Sequence, residues 1–194
     1  MPSASEAASA CWDAGHAFLA ARDLKAATHS FREAVRIDPE FGEAYMDLGA
    51  CLGEQGLWPD CAAAHRRALE LIPEYFEAFR NLGVALTELE DYQGSEAQFR
   101  SALTLRPGDP DTLLRLGYVF SQRSEYAAAL QMFEAVIEAQ PDNADAHILA
   151  ARELVHFGRR DEARAALEKA RTLKPGAVRD QAEIQQLWES LGGV

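Results

Sequence analysis

Pro39, Pro73, Pro107, Pro141 and Pro175 stand at one spacing, each 34 residues after the one before. The chain has 8 prolines in 194 residues. Each further match therefore has a chance of about 0.04, and four in succession come to roughly 3 in 10⁶ by accident. Proline lacks an N–H and disfavours helix in the residue before it. A segment of this length that ends in proline is a helical hairpin followed by a stop, so the chain is an array of hairpins.

The prolines set a register for every other column. With each proline at position 32, the units run 8–41, 42–75, 76–109, 110–143 and 144–177. Position 7 reads Ala14, Leu48, Leu82, Leu116, Ala150 and position 8 reads Gly15, Gly49, Gly83, Gly117, Ala151. Position 11 reads Phe18, Leu52, Leu86, Phe120, Leu154. Position 20 reads Ala27, Cys61, Ser95, Ala129, Ala163; position 24 reads Phe31, His65, Phe99, Phe133, Leu167; position 27 reads Ala34, Ala68, Ala102, Val136, Ala170. Positions 4, 7, 8 and 11 share one face of a first helix, and 20, 24 and 27 share one face of a second. Small residues at 8 and 20 let the two backbones approach, and large ones at 11 and 24 fill the space beside them. Asp109 ahead of Pro110 and Asn143 are placed to cap helices, and Gly56 and Gly158 fall in turns between paired helices.

These columns resemble the tetratricopeptide repeat, with its W-x₂-L-G-x₂-Y…A-x₃-F…P signature. The third unit follows it most closely, through Phe79, Leu82, Gly83, Leu86, Tyr92, Ser95, Phe99, Ala102 and Pro107. The fifth departs most, with His147, Ala150, Ala151 and Leu167 at signature columns. The resemblance implies an all-α fold, a right-handed solenoid of stacked antiparallel helix pairs. Residues 1–7 then read as a flexible tail. Residues 178–194 read as a capping helix, with Ile184, Leu187, Trp188 and Leu191 at i, i+3, i+4, i+7. A helix that docks a partner is the other reading of that segment.

On each first helix, positions 2, 5, 6, 9 and 13 fall opposite the core face at about 100° per residue. In tetratricopeptide arrays that side lines a concave groove, so the resemblance implies a peptide site there. The lining would be Trp12, Asp13, His16; Glu43, Met46, Asp47, Ala50, Glu54; Glu77, Arg80, Asn81, Val84, Glu88; Asp111, Leu114, Arg115, Tyr118, Gln122; and Asp145, Ile148, Leu149, Arg152. Trp12, Met46, Val84, Leu114, Tyr118 and Ile148 are its apolar members, read as anchors for a partner or as packing between units. Arg80, Arg115 and Arg152, with Asn81, read as a polar ladder for a partner's backbone or carboxylates. Their alternative is pairing with Glu77, Asp111 and Asp145. No three consecutive units carry the Lys and Asn pattern by which some members clamp a chaperone's C-terminal carboxylate. Only Asn81 has the position-6 asparagine of the sugar-transferase arrays.

The net charge of −12, from 31 acids and 19 bases, argues against nonspecific nucleic-acid binding and against an anionic membrane surface. The N-terminus has no basic segment and no long apolar run, and no stretch approaches a membrane span. A soluble cytoplasmic protein is the expectation. Cys11, Cys51 and Cys61 are too few and too odd in number for a disulfide framework. They read as small helix residues, a Cys51–Cys61 redox pair being the alternative. His16, His29, His65, His147 and His156 show no metal-ligand spacing, and no phosphate loop or nucleophile motif occurs. No cofactor and no enzyme activity are expected. The functional expectation is a scaffold or adaptor that binds a protein or peptide partner. One alternative is a chaperone for a secreted substrate: LGACLGEQG and HILAARELVHFG…EARAALEKA resemble the tetratricopeptide chaperones of type III secretion. Another is self-association of the array into a homo-oligomer.

Overall fold

The computed structural model describes residues 3–174, 185–187, 189 and 191. Among them are ten helices in five consecutive hairpins: α1 Ala4–Ala20 and α2 Leu24–Ile37; α3 Gly42–Glu54 and α4 Trp58–Leu71; α5 Phe76–Glu88 and α6 Tyr92–Leu105; α7 Pro110–Gln122 and α8 Tyr126–Ala139; α9 Ala144–His156 and α10 Arg160–Leu173. No strand occurs among the described residues, and no helix there is long and apolar enough to cross a membrane. The chain divides into two compact units, Met1–Leu105 with α1 to α6 and Arg106–Val194 with α7 to α10.

The prolines act as expected of them. The residues before Pro39, Pro73 and Pro141 leave the helical region, with φ −124° and ψ 95° at Asp38, −130° and 84° at Ile72, and −136° and 80° at Gln140. Lys174 takes the same conformation ahead of Pro175, which itself lies outside the described residues. The Asp109 and Asn143 side chains accept from the N–H groups of Thr112 and Ala146, capping α7 and α9.

Inside each hairpin the glycine column exists for a ring. A methyl group at Gly49 would lie 2.6 Å from His65, and one at Gly83 would lie 2.6 Å from Phe99. Gly15 faces Phe31 and Gly117 faces Phe133 in the same way. In the fifth hairpin both partners change together: Ala151 replaces the glycine and Leu167 the ring, and both are fully buried. The volume added on one helix is removed from the other.

The turn inside every hairpin closes alike. The residue at position 15 has positive φ in all five: Arg22 (60°), Gly56 (72°), Glu90 (59°), Ser124 (61°) and Gly158 (69°). Its N–H and that of the next residue reach back over the helix end, as Glu90 N–H to Thr87 O and Asp91 N–H to Leu86 O. This 6→1 closure satisfies carbonyls that the helix leaves open. Only two of the five residues are glycine, so the column was invisible as a glycine pattern.

Two expectations need correction. The segment 1–7 is helical from Ala4 onward: Ser3 Oγ accepts from Glu6 N–H, and the Glu6 carboxylate accepts from Ser3 N–H. This capping box is written in the sequence as Ser-x-x-Glu. Phe18 sits in a core column but is 40% exposed, against 2% for Leu52 and 4% for Leu86. Leu52 and Leu86 share one core cluster with residues of the hairpin before theirs, among them Phe31 and Cys61, and α1 has no such hairpin among the described residues. The small residues at positions 3 and 10 behave likewise. Ala44, Cys51, Ala78 and Ala85 are buried, whereas Ala10 and Ala17 are exposed. The Cys51 and Cys61 thiols are buried and free, in line with their reading as small helix residues and against the alternative of a pair, and burial pushes both up to about 11, where a thiol is a poor nucleophile. Of the expected capping helix, Gln185–Leu187 are helical and Leu191 is buried; Ile184 and Trp188 lie outside the described residues.

Candidate peptide-binding face

In the unit Met1–Leu105 the lining residues of α1 and α3 converge on one carboxylate. Trp12 Nε1–H donates to Asp47 Oδ2 at 2.6 Å. His16 Nε2 lies 3.0 Å from the same oxygen. The Trp12 and His16 rings meet edge to face with centroids 4.4 Å apart, and His16 meets Phe31 in the same manner at 5.3 Å. Trp12 also leans on Phe41. Four residues (Trp12 and His16 one turn apart on α1, with Asp47 on α3 and Phe41 just ahead of it) thus lock the two hairpins together. They hold the Asp47 side chain, 28% exposed, in one orientation.

Other carboxylates gather nearby. The Tyr75 hydroxyl is pushed above its ordinary range by burial first and then by the charges of Asp47, Glu77 and Glu43. The first helices of this unit carry seven acids, Glu6, Asp13, Glu43, Asp47, Glu54, Glu77 and Glu88, against one arginine, Arg80. The Arg80 guanidinium lies 5.7 Å from the Phe76 ring centroid, a cation–π placement on its own helix. Asn81 and Val84 are half-buried. Met46 is buried against Ala68 and Ala78, with Tyr45, Leu69 and Tyr75 packed around them. Of the two readings for this methionine, packing between hairpins is the one the structure adopts.

In the unit Arg106–Val194, Tyr118 is 41% exposed and Arg115 is exposed, while Leu114, Ile148, Leu149 and Arg152 are half-buried. The Asp145 carboxylate is taken by Lys174 Nζ, at 2.7 and 2.8 Å, rather than by an arginine of the expected ladder. The first helices here are nearly balanced, with Asp111, Asp145 and Glu153 against Arg115 and Arg152. Two contacts had no signal in the repeat register. Ser121 Oγ–H donates to Glu153 Oε1 at 2.8 Å, and Tyr126 stacks on His156 at 3.8 Å with the rings 4° from parallel. Among the described residues no group of three or more His, Cys, Asp or Glu side chains could hold a metal ion. His65 is a packed core ring whose two nitrogens meet no partner.

Family models described as tetratricopeptide repeat match residues 13–71, 52–110 and 120–187. No curated protein matches the chain. Among solved structures it is similar to MamA, at 22% identity over 92% of this chain and 95% of that one, with a TM-score of 0.81. It is similar to PilW, described as a widely conserved type IV pilus biogenesis factor, at 20% identity over 96% and 87%, with a TM-score of 0.83. A third is YrrB, described as a TPR protein with an unusual peptide-binding site, at 22% identity over 86% of each chain, with a TM-score of 0.76. At these identities the likeness is one of fold.

Proposed function

The chain belongs to the tetratricopeptide repeat family, and on that premise we propose that it is a protein–protein interaction adaptor whose first three hairpins bind an extended cationic peptide. The observation that carries this reading is Asp47. Its Oδ2 is fixed by Trp12 and His16, so the carboxylate is oriented before a ligand arrives and loses little freedom on binding. The first helices of its unit carry six further acids and a single arginine, and Glu43 and Glu77 lie near enough to act together with Asp47 on Tyr75. An incoming Lys or Arg would meet charge of the opposite sign there, which favours the correct partner and speeds encounter. Trp12 offers a ring beside that carboxylate for a cation or an apolar side chain. The likeness to YrrB, a TPR protein with an unusual peptide-binding site, supports a peptide as the ligand class. A cytoplasmic location belongs to this reading and is supported by three cysteines left as free thiols.

The test is a titration of the chain with arrayed peptides of matched length, read by Trp fluorescence or calorimetry. Lys- and Arg-containing peptides should bind, and Glu-substituted versions should not. Affinity should fall as salt rises. Asp47→Asn should weaken binding about tenfold, the loss of one charge-assisted contact worth about 1.4 kcal/mol, with the helical circular-dichroism signal unchanged. Equal binding of acidic peptides, or an unaffected Asp47→Asn, would refute the reading.

A further inference from the structure

At position 10 the first helices α3, α5 and α7 place Cys51, Ala85 and Val119, all buried and none charged. In α9 the same position holds Glu153, which is 1% exposed. Its Oε1 accepts the hydrogen bond from Ser121 of α7, so the side chain lies in the joint between the fourth and fifth hairpins. Its Oε2 is buried and meets no hydrogen-bond partner. A buried carboxylate is tolerated when its oxygens are fully paired and is costly when they are not. One neutral hydroxyl on one oxygen leaves most of that cost standing.

Within the fifth hairpin the opposite holds. Ala151 and Leu167 pack without exposure, and Lys174 after α10 reaches both oxygens of Asp145 on α9. The hairpin is therefore well joined to itself, while its joint to its neighbour holds a buried carboxylate that is only half paired. In repeat arrays stability is a sum of unit and interface terms, and regions with weak interfaces open as cooperative pieces below the global unfolding energy.

We propose that α9 and α10 form a releasable hairpin, with the buried Glu153 keeping its joint to α7 and α8 weak. The hairpin undocks as one piece while the remaining helices stay folded. The stacking of Tyr126 on His156 also crosses the joint and breaks in the same event.

Native-state amide exchange on the full chain tests this. The amides of α9 and α10 should exchange together, at least about tenfold faster than those of α5 and α6. Glu153→Val, which copies Val119, should slow them by a similar factor and leave α3 to α6 unchanged. Ser121→Ala, which removes the one donor, should speed them. The proposal is overturned if α9 and α10 exchange no faster than α5 and α6, or if Glu153→Val fails to fold or leaves the exchange unslowed.

Discussion

Asp47 and Glu153 are two carboxylates on one template, and their settings differ in every respect that matters. Asp47 stands at position 6 of the second hairpin, partly in water, with Trp12 Nε1–H donating to one oxygen and His16 Nε2 3.0 Å from that same oxygen. Glu153 stands at position 10 of the fifth, out of water, with one donor and one unpaired oxygen. A shift of four positions along a first helix moves a side chain from the open face to the joint between hairpins. The same chemical group is a binding element in the first place and a destabilising one in the second.

The comparison breaks most sharply if a buried carboxylate is placed in the other unit. Ala85→Glu puts one at position 10 of the third hairpin. The residue corresponding to Ser121 is there Gly53, which offers no side-chain donor. The expected loss is about 3–5 kcal/mol of stability in α1 to α6, measured by urea denaturation. A loss under about 1 kcal/mol would show that position 10 accepts charge freely, which removes the argument from Glu153.

A gentler probe is His65, which among the described residues is a second buried polar side chain without a partner. Burial pushes its imidazole down to about 4. The unfolded chain takes up that proton near pH 6.5, so the stability is whole above pH 6.5 and is lost progressively as pH falls toward 4, by roughly 3 kcal/mol in all. His65→Phe, which restores the ring found at Phe31, Phe99 and Phe133, should flatten that part of the acid-unfolding profile. It should also raise stability at neutral pH by about 1 kcal/mol. A profile that keeps its slope between pH 6.5 and 4 would place the acid sensitivity elsewhere.

The smallest effect concerns the turns, where both units mix glycine with other residues. Glu90→Gly relieves a left-handed non-glycine residue and should stabilise by up to about 1 kcal/mol, whereas Gly56→Ala should cost a similar amount. Both are read as shifts in melting temperature. If the two changes move it in the same direction, the backbone at position 15 is not what sets their energies.

What the sequence disclosed is what is local or strictly periodic. The prolines gave the register, and the register gave the glycine and ring columns, since helix packing at close approach needs a missing side chain opposite a flat one. Asp109 and Asn143 declared themselves as caps because capping is a three-residue event. The bonds from Trp12 and His16 to Asp47 were not legible, although all three residues were placed on one face. Their meeting depends on how two hairpins pack, which a single unit's periodicity does not contain. The choice between the two readings of Met46 stayed open for the same reason: Tyr45, Leu69 and Tyr75 pack around its cluster from different parts of the chain. Glu153 was hidden by its own chemistry, because a glutamate on a helix reads by default as solvated.

The five left-handed turns also supply a ruler. Arg22, Gly56 and Glu90 are all exposed, sit 34 residues apart, and close the same backbone geometry whatever side chain they carry. Spectroscopic probes attached at Arg22 and Glu90 would therefore mark equivalent points two hairpins apart without touching the binding face or the core. The distance between them, followed as a ligand is added, would report directly how far the first three hairpins flex.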